Sequence, residues 1–230
     1  MNKQREQKNY INYFKKWDGM GMLGAILMIV GFACLWLGRS FAAYVMAVFL
    51  MPIGIAVFLY GSIGRASESD FKNEIEDRME AIGFREVEEE PRFRRRYAKE
   101  PEILTFSDYL FREGVMLKRR KSGALCSSAY LCAQMMILTD AFYVKMREFS
   151  FVSDDVSNRD EEILFSEIES IGVVRDTQSL TFGKGSYTAR TCNLVITYNG
   201  GKTCALPIKD DIYAEQFAER LERIVKGAKS

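Results

Sequence analysis

The chain has 230 residues, with 32 Lys+Arg against 31 Asp+Glu and no histidine. A net charge of +1 does not suit a nucleic-acid binder, and the missing histidines remove the commonest general base and metal ligand. The near-neutral total hides a split, because residues 1–64 carry +4 and the remainder −3.

The five cysteines are Cys34, Cys126, Cys132, Cys192 and Cys204. They form no Cys-x-x-Cys pair, so no zinc site is expected. Their odd number and irregular spacing fit a reducing compartment better than a secreted disulfide scaffold.

In chain order, a polar and basic tail over residues 1–18 comes first. Gly19 to Leu37 and Ser40 to Gly64 then contain no charged residue, and Arg39 stands alone between Asp18 and Arg65. Each run is long enough to cross a hydrocarbon core of about 30 Å at about 1.5 Å per residue. The reading is a transmembrane helical hairpin over residues 19–64. Soluble core helices would have to be uncharged all round twice in succession. A cleaved signal peptide should have a shorter apolar region, with no second span at once behind it.

Lys15 and Lys16 precede the first span, with Lys3, Arg5 and Lys8 behind them. The positive-inside rule then puts both termini in the cytoplasm and Gly38-Arg39-Ser40 outside. Trp17 and Tyr60 suit the inner interface and Trp36 the outer one. Small residues recur every seven positions: Gly24, Gly31 and Gly38 on the first helix, and Ser40, Ala47, Gly54 and Gly61 on the second. Such faces let two helices approach closely in lipid. They predict packing within the hairpin, with a homo-oligomeric interface or a pore as the alternatives. No ionisable residue lies inside either span, which speaks against an ion pathway. Pro52 is placed to kink the second helix.

Residues 65–102 read as a juxtamembrane connector. Phe71, Ile75, Met79 and Ile82 recur at helical spacing, predicting a helix from about Ser69 to Ile82, capped by Ser67 or Ser69 and ended by Gly83. Its polar face is acidic, so packing on the following domain is expected rather than lying on anionic lipid. Glu86 to Tyr97 sets an acidic block against Arg94, Arg95 and Arg96. Cross-strand charge pairing in a hairpin accounts for this pattern, and a headgroup-binding patch is the sharper alternative. Lys118, Arg119, Arg120 and Lys121 raise the same question ahead of a Ser122-Gly123 turn.

From Ile103 onward most signals are strand. Phe142, Val144 and Met146 alternate, and Phe149 and Phe151 continue in the opposite parity, which predicts a bulge near Arg147-Glu148. Ile163 to Val174 is another strand region. Gly183-Lys184-Gly185 reads as a hairpin tip. Asp154-Asp155 and Asp160-Glu161-Glu162 read as a solvated loop, their spacing not being that of a calcium loop. Asn199-Gly200 is a hairpin turn; as a two-residue loop it would pair Cys204 with Val195. Pro207 marks an edge or the end of its strand. A helix with the stripe Tyr213, Phe217, Leu221 and Ile224 follows, with Asp210 or Asp211 as cap and Lys226-Gly227 closing it.

Ile137-Leu138-Thr139, Phe142-Tyr143-Val144, the run Ile163 to Ile171, a hairpin and a C-terminal helix follow one another over 103–230. This order resembles the bacterial PH-like (pleckstrin-homology-like) domains, which often follow short membrane hairpins. Family members often carry an Arg soon after the Thr of the first run; here Asp140 and Ala141 stand there. With the antiparallel two-helix transmembrane hairpin read from the apolar runs, the resemblance, which covers about Ile103 to Val225, makes this an α+β membrane protein by expectation. A cytoplasmic, bent antiparallel β-sheet or barrel closed by the C-terminal helix would follow. It implies a scaffold for protein, peptide or lipid contacts rather than an enzyme.

No catalytic residue, cofactor or metal is expected, since Ser127-Ser128 and the cysteines have no histidine to activate them. The expected partners are the lipid bilayer and either a protein partner or an anionic lipid headgroup, with no nucleic acid. The candidate contact residues are the two basic groups at 94–96 and 118–121. The alternative is a ligand-sensing effector that oligomerises through its transmembrane helices.

Overall fold

A computed structural model of the chain describes residues 3–16, 19–38, 40–82, 102–120, 122–209 and 212–229. They form five α-helices and nine strands in antiparallel sheets, and the chain divides into two units, 1–71 and 72–230.

The first unit holds α1 (Lys3–Lys15), α2 (Met20–Leu37), α3 (Phe41–Ser62) and the start of α4 (Glu68–Glu80). α2 and α3 are long and apolar enough to cross a membrane. They pack on each other through Gly24 and Gly31 of α2 and Ala47, Gly54 and Gly61 of α3, all of them buried. The approach is backbone to backbone. A Cβ on Gly54 would stand 2.8 Å from Met28 N, and one on Gly61 2.5 Å from Gly21 N. At Gly24 it would meet Phe58 N closer still. Gly38 ends α2, donating its N–H to Cys34 O at 3.1 Å. Ser40 caps α3 by accepting from Ala43 N at 3.3 Å. α3 runs through Pro52 without interruption.

The tail expected over residues 1–18 is helical from Lys3. α1 turns Tyr10, Tyr13 and Phe14 onto Phe71, with ring centroids 4.8–5.9 Å apart, and all four are buried. Phe71 thus packs on the N-terminal helix, while further along α4 Arg78 lies 5.2 Å from the Phe149 ring centroid, as packing on the following domain requires. Asn12 Nδ2 donates to Gly64 O at 2.7 Å, and Lys16 Nζ to Tyr60 O at 2.5 Å and Ile63 O at 3.2 Å. The last turn of a helix leaves its carbonyls unpaired, so a cation there is doubly favoured. Ser67 caps α4: Ser67 Oγ accepts from Asp70 N at 3.2 Å, and Asp70 Oδ2 accepts from Ser67 N at 2.7 Å. The connector over 86–97 and Gly83 lie outside the described residues.

The second unit holds the rest of α4, three sheets and a C-terminal helix. β1 (Glu102–Tyr109), β4 (Ala129–Ile137), β5 (Ala141–Ser150) and β6 (Val156–Leu164) form one sheet in that order. β2 (Leu117–Arg119) and β3 (Leu125–Ser127) form a hairpin inserted between β1 and β4. β7 (Ile168–Phe182), β8 (Gly185–Tyr198) and β9 (Lys202–Pro207) form the third sheet, and α5 (Ala214–Lys229) follows. The main core joins Ala133, Met135, Phe142, Val144, Ile163, Leu194, Ile196 and Leu206 to Ala218, Leu221 and Val225 of α5.

Several expectations are corrected. The sheets are not closed into a barrel: among the described residues no main-chain hydrogen bond joins β1 to β9. Pro207, at the end of β9, has no N–H to offer across that gap. No bulge breaks β5, whose register to β4 is continuous from Ala129–Ser150 to Ile137–Phe142. The parity changes because both faces are covered; Phe149 and Phe151 join Tyr109 and Tyr130 on the face away from the main core.

Asp160-Glu161-Glu162 is strand rather than loop. β6 is an outer strand, where the exposed charges of Arg159, Asp160 and Glu162 discourage further pairing, while Glu161 is half-buried. The turn after β8 has three residues, Asn199, Gly200 and Gly201, all with positive φ (46°, 75° and 91°). The extra residue moves Cys204 opposite Ile196 instead of Val195. α5 continues past Lys226-Gly227 to Lys229.

Gly24→Val forces a branched side chain into the Phe58 backbone, and overpacking of this kind costs about 1–3 kcal/mol or more. The full chain in detergent should unfold at a clearly lower temperature. Gly31→Ala should be milder, because its nearest neighbour is the flexible side chain of Met51. Equal losses for the two variants would contradict this packing.

Candidate functional site

The β2–β3 hairpin carries the basic run of 118–121. Leu117 pairs with Ser127 and Arg119 with Leu125, and Gly123 closes the turn at φ +87° by donating its N–H to Arg120 O at 3.0 Å. Leu117, Val115 and Leu125 pack against Leu180 and Ala189 of the β7–β8 hairpin. Ser128 fixes the base, its Oγ accepting from Met116 N at 3.0 Å and its N–H donating to Met116 O at 2.9 Å.

The four basic residues do not share one solvent-facing patch. Lys118 is buried. Arg120 is half-buried, its guanidinium 4.9 Å from the Tyr109 ring centroid and hydrogen-bonded to the Tyr109 hydroxyl. Arg119 is exposed and donates to Gly123 O at 2.8 Å. Lys121 and Arg94, Arg95 and Arg96 lie outside the described residues.

Arg119 instead meets a residue that the linear run does not contain. A cleft of about 440 Å³ lies between the hairpin and β8, lined by Arg119 and Leu125 on one side and Thr188 and Arg190 on the other. Asp108 and Phe111 complete it. Two guanidinium-bearing residues and a threonine hydroxyl around one cleft are a suitable setting for an anion. No local signal marks Arg190, because it stands alone on β8 opposite Thr177.

Asp108 gives the cleft an acid. Burial raises its pKa above the usual carboxylate range, while the Tyr109 N–H (2.7 Å to Oδ1), Lys209 and Arg120 pull it back. Two of the thiols are poor nucleophiles. Burial pushes Cys132 up to about 12, and burial with Glu161 pushes Cys204 to about 12, so both stay protonated at neutral pH. All five cysteines are unbridged. Among the described residues no three His, Cys, Asp or Glu side chains are grouped to hold a metal ion.

Compared with protein-family models, curated proteins and solved structures, the chain matches none.

A carboxyl whose folded pKa is raised binds its proton more tightly when folded. Its stabilising effect is complete below the ordinary carboxylate range and is lost as pH climbs through the raised value. Asp108→Asn keeps the acceptor for Tyr109 N–H without the charge. It should raise the melting temperature of the full chain in detergent at pH 8 and flatten its dependence on pH. A lower melting temperature at pH 8 would show that Asp108 is held by its cations instead.

Proposed function

We propose that the chain is a membrane-tethered interaction module. α2 and α3 anchor it in the cytoplasmic membrane with both termini on the cytoplasmic side, and the β-rich unit binds a protein or peptide partner at the inner face. The observation that carries the anchor is an inside-out helix pair. The small residues face each other, while Ile29 (68% exposed), Trp36 (80%) and Phe41 (85%) point outward from helices that carry no charge. A soluble core helix would do the reverse. Lys15 and Lys16 on the N-terminal flank support the orientation through the positive-inside rule.

The order of a four-stranded meander, a three-stranded meander and a terminal helix supports the PH-like reading of the β unit. The partner reading also draws on charge, since residues 65–230 carry −3 and general adhesion to anionic lipid is disfavoured. A headgroup-binding reading has one specific observation in its favour, the cleft that holds Arg119 and Arg190. The effector alternative would need the small-residue faces between copies, and they are spent inside the helix pair.

Two measurements test this reading. Membranes holding the full chain should retain it through an alkaline carbonate wash; release would remove the anchor. The fragment 65–230 should float with neither neutral nor anionic vesicles at physiological salt. Salt-sensitive flotation on anionic vesicles alone, lost in Arg119→Ala and Arg190→Ala, would replace the protein partner with a lipid headgroup.

A further inference from the structure

β8 has a partner on both sides over only part of its length. β9 meets it from Asn193 to Tyr198, and the last bond on that side runs from Ile208 N to Cys192 O at 2.8 Å. From Thr191 back to Gly185 the strand pairs with β7 alone. In an antiparallel ladder the main chain turns to alternate sides from one residue to the next. Cys192 O faces the β9 side, and the register of β8 against β7 is unbroken from Thr197 to Gly185. Ser186, Thr188 and Arg190 therefore turn their N–H and C=O groups to the side that β9 has left. Among the described residues no further main-chain bond reaches them there. The free edge from Ser186 to Thr191 runs about 17 Å.

The cleft of about 440 Å³ lies beside this edge, with Thr188 and Arg190 on one wall and Arg119 and Leu125 on the other. Arg190 is exposed and makes no ion pair or side-chain hydrogen bond among the described residues. Its neighbour across β7 is Thr177, which carries no charge. Arg119 is exposed too and donates to Gly123 O. The acid lining the cleft, Asp108, accepts from Tyr109 N and has Lys209 and Arg120 to balance it. Two arginines therefore leave the cleft positive. Side chains alternate along the strand, so Ala189 faces the other way from Thr188 and Arg190, onto the cluster of Leu117 and Leu180 that Leu125 borders.

We propose that this stretch of β8 is a docking edge for an extended, acidic segment of a partner protein. The segment continues the β7–β8–β9 sheet where β9 stops, bonding through its main chain to Thr188 and Arg190. It sets a carboxylate opposite Arg190, and its next side chain, opposite Ala189, is apolar and lies toward Leu125. The main-chain bonds supply affinity, and the cross-strand ion pair supplies selectivity. The proposal rests on the interaction-module reading and gives it a site.

The test uses the full chain in nanodiscs of neutral lipid and fluorescence polarisation of a labelled, end-blocked hexapeptide, Thr-Glu-Leu-Thr-Val-Thr. Its Glu falls opposite Arg190. Two companions carry Gln or Lys for Glu. A third is N-methylated on the amides of Glu and the second Thr, which face β8, and a fourth on those of Leu and Val, which face away. The parent should bind about fivefold more tightly than the Gln companion, the upper end for a cross-strand ion pair. It should bind tenfold or more tightly than the third companion, which loses two main-chain bonds, and like the fourth. Arg190→Glu should reverse the preference, so that the Lys companion binds better than the parent. Thr188→Pro removes an N–H that β7 does not use, and should weaken the parent tenfold or more. Both variants should melt like the unaltered chain; if Thr188→Pro melts lower, the reversal by Arg190→Glu decides.

No binding of the parent, or a preference for Glu that survives Arg190→Glu, would overturn the docking edge. Equal binding of the two N-methylated companions would overturn it as well, and with the acid preference intact would make the cleft a plain anion site for a lipid headgroup or free phosphate. A protein partner that co-purifies equally with Arg190→Glu and Thr188→Pro would overturn it too, yet leave the interaction-module reading standing.

Discussion

A sheet with apolar side chains on both faces must be covered twice, and that requirement organises the β unit. Along β4, Ala133 and Met135 face the main core, while Tyr130 and Met136 lie on the other side, and all four are buried. One face is covered by the β7–β9 sheet and α5. The other carries the rings of Tyr109, Tyr130, Phe149 and Phe151, with centroids 4.9–6.4 Å apart. Edge-to-face ring pairs add to the area they bury, so this second layer is more than padding. The double cover also makes the register costly to shift, because a one-residue slip would exchange the two sets.

What was legible in the chain follows from how local each signal is. The α2–α3 pair could be read because an uncharged run of this length has few other uses. The Ser67 cap and the stripe of α5 are also local. α1 has a weak signal: its Tyr10, Tyr13 and Phe14 stand in a helix that is polar apart from them and Ile11, and the ring they share, Phe71, lies far along the chain. Asp160-Glu161-Glu162 look like loop by charge alone; they lie on an outer strand, where Asp160 and Glu162 are exposed and Glu161 is half-buried beside Arg159. One added residue in the turn at Asn199 displaced the register of β9.

The candidate site was less legible than the fold. A run of four basic residues is conspicuous in one dimension, but a strand turns neighbours to opposite sides, and the hairpin buried Lys118 while leaving Arg119 exposed. Arg190, which lines the cleft with Arg119, is an isolated charge. It arrives on a strand distant in sequence, and only the fold brings the two to one cleft.

The docking of α1 has a consequence for the order of synthesis. The hydroxyl of Tyr10 donates to the carbonyl of Asp70 at 3.2 Å, across sixty residues of chain. α1 is therefore made well before its packing partner and completed after it. Until α2, α3 and Phe71 have all left the ribosome, its three aromatic rings lack the ring they share. A nascent chain stalled short of Phe71 would present them bare, as bait for chaperones or for a bilayer surface. Their disappearance into the finished contact would mark the moment at which the helical unit is complete.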